Sequence, residues 1–349
     1  MRRVTWATMA SADPMGQQHY ERQIQRAVSD VADADWQFEE IRLGSLRSSI
    51  PHVRRIPMGL YQSAPLPLAL ALGGASYRTR GLVHRLDLRI PPSPGREVVT
   101  IHDLPPLRFA DEGSLPASAA AGARRARRVV CPSQFAADEV RELLGVDPSR
   151  LRVIFNGVGP EFRTDGDAET LPVIDGVDRP FVLHAAGATQ RKNLASLADA
   201  WRIVSQAHPG LTLVLAGPDD PRRTALFGSI ESASLVGRLA PTAVASLMRR
   251  AATVVVPSTY EGFGLPALEA MACGRPVVAA NAGALPEICG DAAILVEPTA
   301  EGIAEGIESA LTDEALVARL AVDGPARAKS FTWARAAQQH LDVYREVLG

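Results

Sequence analysis

The chain has 349 residues, 46% of them hydrophobic and 22% charged, with a formal net charge of −2. That length suits two domains with separate cores, and the near balance of charge argues against a nucleic-acid binder with a broad positive field. Three scattered cysteines, Cys131, Cys273 and Cys289, make no CxxC pair and no zinc spacing, and fit a reducing compartment.

The first ten residues, MRRVTWATMA, hold a short apolar stretch interrupted by threonine, and a charged, Gln-rich segment follows. They read as a buried first strand rather than a signal peptide. From there short β-rich runs alternate with longer helical patterns, the signature of a parallel sheet flanked by helices. In the first half strands are predicted at 3–8, 37–42, 98–102, 128–132 and 151–154, and helices at 17–32, 61–72, 118–126 and 133–144. The most apolar stretch, 65–75, is too short to span a bilayer and contains Pro and Gly. The chain therefore reads as cytoplasmic, or at most attached to the inner face of a membrane.

The segment 161–180, rich in Asp, Gly, Thr and Pro, reads as a linker. A second series follows, with strands predicted at 181–185, 212–216, 234–236, 253–257, 276–279 and 293–296. Helices are predicted at 193–206, 241–250, 266–273, 300–311 and 333–347. The predicted fold class is α/β, with two Rossmann-like domains over 1–165 and 166–332 facing each other across a cleft. A closing helix over 333–349 packs back toward the first domain. Ligands of such sheets bind beyond the carboxyl ends of the strands.

The strongest motif in the chain is Pro257-Ser258-Thr259-Tyr260-Glu261-Gly262-Phe263-Gly264-Leu265-Pro266, running on through Glu269 to Met271-Ala272-Cys273-Gly274-Arg275-Pro276. A strand ends, a glycine-bearing turn follows, and Pro266 suits the first turn of a helix. Gly262 and Gly264 let the backbone approach a ligand, and the amides at a helix start suit an anion such as a diphosphate. Glu261 and Glu269 place two carboxylates against one ligand. A second loop, Gly187-Ala188-Thr189-Gln190-Arg191-Lys192-Asn193, puts two cations at a helix start, where Arg grips two oxygens and Lys acts as a point charge. His102 and Asp103 follow a predicted strand, and Gly16 and Gln17 lie in the loop after the first one.

Together these segments resemble the retaining glycosyltransferases of family 4, which carry an E-x7-E motif in this strand–turn–helix. The resemblance implies the GT-B fold, with an N-terminal acceptor domain and a C-terminal domain for a nucleotide-sugar donor. It implies that Glu261 and the amides of Gly262, Phe263, Gly264 and Leu265 hold the donor sugar, and that Glu269 holds the ribose. Arg191 and Lys192, with Gly187, would grip the diphosphate. His102 would touch the donor sugar, with Asp103 orienting it or bonding the acceptor. Gly16 would approach the phosphates, Gln17 the acceptor, and Val236 and Gly237 the base. Asn156-Gly157 would close the first domain as a structural turn.

No Gly-x-Gly-x-x-Gly, Walker A, HExxH or Gly-x-Ser-x-Gly pattern is present. Asp33-Ala34-Asp35 and Asp165-Gly166-Asp167 look like metal-binding Asp-x-Asp pairs but fall at a helix end and in the linker, so no metal or other cofactor is expected. The expected reaction moves a hexosyl group from a nucleotide-sugar to a saccharide, lipid-linked or small-molecule hydroxyl. The loop at 187–193 looks more like mannosyl members using GDP-sugars, with UDP- and dTDP-sugars and a non-catalytic sugar-nucleotide-binding subunit as alternatives. The basic run Arg124-Arg125-Ala126-Arg127-Arg128 is a candidate for peripheral membrane contact.

Overall fold

A computed structural model describes residues 1–11, 16–79, 81–165 and 180–349. In chain order the elements begin β1 (Arg2–Met9), α1 (Gly16–Val31), β2 (Trp36–Ser45), β3 (Arg54–Ile56), α2 (Met58–Gln62), α3 (Leu66–Tyr77), β4 (Leu82–Arg85), β5 (Glu97–Thr100), α4 (Ala119–Arg125), β6 (Arg128–Cys131), α5 (Gln134–Leu144) and β7 (Leu151–Val153). They continue β8 (Phe181–Ala185), α6 (Leu194–Ala207), β9 (Thr212–Ala216), α7 (Pro221–Phe227), β10 (Ala233–Gly237), α8 (Pro241–Arg250), β11 (Thr253–Val256), α9 (Leu265–Ala272) and β12 (Val277–Ala280). The last are α10 (Leu285–Cys289), β13 (Ile294–Val296), α11 (Ala300–Thr312), α12 (Glu314–Ala328) and α13 (Trp333–Leu348).

The chain divides into two compact units, Met1–Gly157 with Thr332–Gly349, and Val158–Phe331. The division falls at Gly157, and most of the segment read as a linker, 166–179, lies outside the described residues. The first unit holds a parallel sheet in the order β3-β2-β1-β4-β5-β6-β7, and the second one in the order β10-β9-β8-β11-β12-β13. Both reverse direction beside their first strand, the doubly wound pattern that opens a crevice at the strand ends.

The strands read as they do because parallel sheets are covered on both faces. Thr-Val-Val-Val in β11 and Val-Val-Ala-Ala in β12 are buried at every position. In the first unit α1 and α13 cover one face through Ile24, Val28, Trp333 and Tyr344, packed on Val4 and Trp6. Ala123, Ala137 and Val140 of α4 and α5 sit on the other. In the second unit Leu197 and Trp201 of α6 pack with Ile303 and Ile307 of α11 on Val255 and Val278. Full burial of a side chain such as Leu197 or Ile303 stabilises by about 1.5–3 kcal/mol.

Several elements depart from the sequence reading. The single helix predicted at 61–72 is two helices, parted before Pro65, which cannot supply an amide inside a helix. β3 and β4 are absent from the prediction, as are α7, α10 and α12. In β4 the charged pair His84-Arg85 masks a wholly buried strand. There Arg85 is held by Glu97 of β5 at 2.8 Å, and His84 by the Tyr344 hydroxyl of α13 at 2.6 Å and Thr100 at 2.8 Å.

Candidate active site

In the second unit the two predicted loops meet. Lys192 Nζ donates to Glu261 Oε1 at 2.6 Å, and Arg191 Nη1 donates to Glu261 Oε2 at 3.2 Å and to the Tyr260 carbonyl at 3.2 Å. The main chain adds a bond from Thr259 N to Arg191 O at 2.9 Å. Asn193, left-handed at φ 54, caps the arrangement by donating to the carbonyls of Pro257 at 3.1 Å and Pro298 at 2.8 Å. The trio carries one net positive charge in a largely buried setting. Burial opposes ionisation of Glu261, but Lys192 and then Arg191 outweigh it and hold the carboxyl at about 2. Glu261 is thus a fixed anion whose partners are the two cations assigned to the diphosphate, so the three act as one group.

The turn that carries Glu261 is held from behind. Gly264, at φ 99, forms the N-cap of α9, a conformation that favours glycine. A Cβ on Gly283 would lie 2.8 Å from the Glu261 nitrogen, so the segment after β12 supports the turn at backbone contact. Ala284 N donates to Glu261 O at 3.0 Å. The Phe263 side chain packs edge-on against Phe331, with centroids 5.9 Å apart. Leu265 opens α9, one residue earlier than predicted, with Pro266 in its first turn.

Glu269, about one turn along α9, has the opposite character. Burial, with the Glu161 carboxylate adding its charge, raises its carboxyl to about 8. Glu161 is a neighbour that the sequence reading places in the linker. Gly187 lies in the loop after β8, and Val236 and Gly237 end the edge strand β10, where Gly237 O accepts from Gly217 N at 2.8 Å.

The first unit holds His102, Asp103, Gly16 and Gln17. His102 is half-buried after β5, and its Nε2 has no hydrogen-bond partner among the described residues. Burial depresses the imidazole to about 4, against the pull of Asp87, so it is neutral at working pH. Tyr20 meets it edge to face at 4.4 Å. Gly16 is the exposed first residue of α1, and residues 12–15 of the loop before it lie outside the described residues. Gln17 bonds Glu21 at 3.2 Å and the Leu86 carbonyl at 3.3 Å, and receives Arg89 at 3.4 Å. Arg89 also clamps Asp87 with 2.7 and 3.0 Å bonds. Glu21, Asp87 and Arg89 are therefore neighbours of Gln17 that no motif signals, because α1 and the loop after β4 meet only in the fold.

Other polar sequence features find structural roles. Arg124 donates to Leu144 O at 2.7 Å, Arg125 to Ser93 O at 2.7 Å, and Arg128 pairs with Glu346. The basic run thus ties α4 and β6 to their own unit. Asp33 caps an exposed turn by accepting from Asp35 N at 3.0 Å. Asp165 pairs with Arg163 at 3.7 Å, and 166–167 lie outside the described residues. No helix among the described residues is long and apolar enough to cross a membrane.

Two doubly wound units in one chain, one of them presenting two cations fixed on a glutamate at its strand ends, define the class of two-domain glycosyltransferases. The sequence pattern of glycosyl transferases group 1 matches residues 174–327, and that of glycosyltransferase family 4 matches 77–162. The chain is 32% identical over 294 residues to alpha-maltose-1-phosphate synthase of Mycolicibacterium smegmatis, covering 72% of this chain and 73% of that one. The protein belongs to glycosyltransferase family 4. It is also 28% identical to O-antigen chain mannosyltransferase B of Escherichia coli, over 63% of this chain and 61% of the relative. It spans about a third, 34%, of the serotype-specific mannosyltransferase WbdA of the same species. Among solved structures, sucrose-phosphate synthase from Thermosynechococcus elongatus superposes with a TM-score of 0.76 at 25% identity, covering 100% and 99% of the two chains. HepE of Anabaena, in complex with UDP and glucose, gives 0.77 at 23% identity, covering 99% and 100%.

Proposed function

We propose that the protein is a retaining hexosyltransferase that moves a mannosyl group from a GDP-sugar to a saccharide, lipid-linked or small-molecule hydroxyl, without a metal. The observation that carries this reading is the trio in which Lys192 and Arg191 both close on Glu261, at 2.6 and 3.2 Å. An ammonium has three N–H donors and Glu261 takes one, which leaves two for phosphate oxygens. As the glycosidic bond breaks, negative charge grows on the departing nucleoside diphosphate. Preorganised cations and the amides of the turn before α9 stabilise that charge more than the ground state, which lowers the barrier.

Glu261, ionised and fixed, accepts hydrogen bonds from the sugar hydroxyls, and Glu269 accepts from the ribose. His102, a neutral imidazole, serves the donor sugar by hydrogen bonding. Retention follows from the family resemblance. The mannosyl assignment draws on the two mannosyltransferase relatives. A second reading, transfer from a UDP-sugar, draws on the HepE complexes with UDP and UDP-glucose.

The test is turnover of GDP-mannose, UDP-glucose and dTDP-glucose by purified protein, with the anomer of any product read by NMR. Lys192→Ala is expected to lower turnover about 100-fold, the scale for loss of one preorganised electrostatic contact. Unaltered turnover in that variant, or an inverted product, would overturn the mechanism. Loss of GDP-mannose turnover beside robust UDP-glucose turnover would select the second reading.

A further inference from the structure

Three consecutive carbonyls of the loop after β8 turn toward α7. Arg223 Nη2 donates to Ala186 O at 2.5 Å and to Gly187 O at 3.3 Å, and its Nη1 to Pro218 O at 3.0 Å. The neighbouring Arg222 Nη1 reaches Ala188 O at 3.5 Å, the outer limit of a hydrogen bond. Because a trans peptide points its C=O and the following N–H in opposite directions, the amides of Gly187, Ala188 and Thr189 face away from α7. Among the described residues none of these three amides donates to another backbone group, while the next turn, from Lys192 N to Thr189 O at 2.9 Å, is closed. A run of outward amides of this kind is a nest for an anion.

The guanidinium beneath that nest is unusual in its own right. Arg223 is 2% exposed, and its Nε has no hydrogen-bond partner. Among the described residues no carboxylate forms an ion pair with it. Asp219 and Asp220 act on it only through space, and Asp220 Oδ1 caps α7 by accepting from Arg222 N at 2.8 Å. A charge removed from water without a counter-ion is costly, and carbonyls offset only part of that cost. The backbone leaves room for it at Gly217. Gly217 has φ +149, and a Cβ there would lie 2.1 Å from Ala186 O and 2.7 Å from Arg223 Nη2.

We infer that Arg223 is a positioning residue for the donor diphosphate. By holding the carbonyls of Ala186 and Gly187 toward α7 it aims the amides of Gly187, Ala188 and Thr189 at a phosphate. Its own charge gains a counter-ion when that phosphate binds. The inference rests on the reading of Arg191, Lys192 and Glu261 as the donor site.

The experiment titrates the full-length protein, Arg223→Met and Arg223→Lys with GDP and UDP by calorimetry, and with guanosine and uridine by ligand-observed NMR. Arg223→Met is expected to weaken the diphosphate that the wild type prefers by at least about tenfold, while the matching nucleoside binds as before. Arg223→Lys, which keeps the charge but has no fork to hold two carbonyls, is expected to fall between. An unchanged diphosphate affinity in folded Arg223→Met would overturn the inference, as would an equal loss for nucleoside and diphosphate. Should Arg223→Met fail to fold, unchanged diphosphate affinity in Arg223→Lys overturns it. A wild type that binds neither GDP nor UDP would sink the donor-site reading itself, whereas turnover retained in Arg223→Met with undiminished affinity sinks only the role of Arg223.

Discussion

Glu261 and Glu269, eight residues apart around one turn, are held in opposite protonation states. Two cations keep the first at about 2, and burial beside Glu161 keeps the second at about 8. Near neutral pH Glu261 is ionised and Glu269 carries a proton. If Glu269 accepts ribose hydroxyls, binding favours its ionised form, so the proton must leave. Calorimetry of the nucleoside diphosphate at pH 7 in buffers of different ionisation enthalpy is expected to show proton release. Affinity is expected to rise about fivefold from pH 7 to 8 and to level off above about pH 9, about tenfold in all. Glu269→Gln should abolish both effects, and a proton count of zero in the wild type would refute the ribose role.

Among the elements, β4 and β5 are joined by a wholly buried ion pair between Arg85 and Glu97, which are 0% and 1% exposed. Glu97 also accepts from Ser93 N at 3.2 Å, and Arg85 donates to Ile90 O at 2.9 Å. Removing one partner leaves an uncompensated charge, so Glu97→Ala is expected to cost about 3–5 kcal/mol in urea denaturation. A joint Arg85→Met, Glu97→Leu variant should recover much of that loss, and a Glu97→Ala effect under 1 kcal/mol would count against the argument. This pair also explains where sequence reading stops. Strands such as β12 are legible because every position is apolar, whereas β4 is hidden because its charges are satisfied by residues distant in sequence. The site divides in the same way. Glu261, Arg191 and Lys192 are legible as glycine-loop chemistry at strand ends. Arg223 looks like any helix arginine until the fold buries it under another loop, and Glu161 looks like linker until it stands beside Glu269.

At the scale of the whole molecule these shifts set a pH window for stability. His102, His184 and His340 are held by burial at about 4, so they add stability that is complete above their ordinary 6.5 and lost as pH falls toward 4. Glu261 adds stability above 4.5 that is lost as pH falls toward 2. Glu21 and Glu269, raised to about 8, act in reverse: their contribution is complete below 4.5 and lost as pH rises through 8. The thermal midpoint is therefore expected to decline on both sides of a mildly acidic optimum. Between pH 6.5 and 8 the histidines are already neutral in folded and unfolded chains alike, so the decline there belongs to the glutamates. A double Glu21→Gln, Glu269→Gln variant should flatten it, and an unaltered slope would rule out that cause.

The path of the chain at the ends of the second unit has a consequence for how such proteins can be rebuilt. Val158 N donates to Phe331 O at 3.2 Å, so that unit begins and ends at the same place. On the other side of both junctions, a Cβ on Gly157 would lie 2.3 Å from Trp333 N. The second unit is thus an insert whose two ends are already tied together. Exchanging it for a counterpart from another family member requires two cuts a single hydrogen bond apart, with Gly157 retained as the seam.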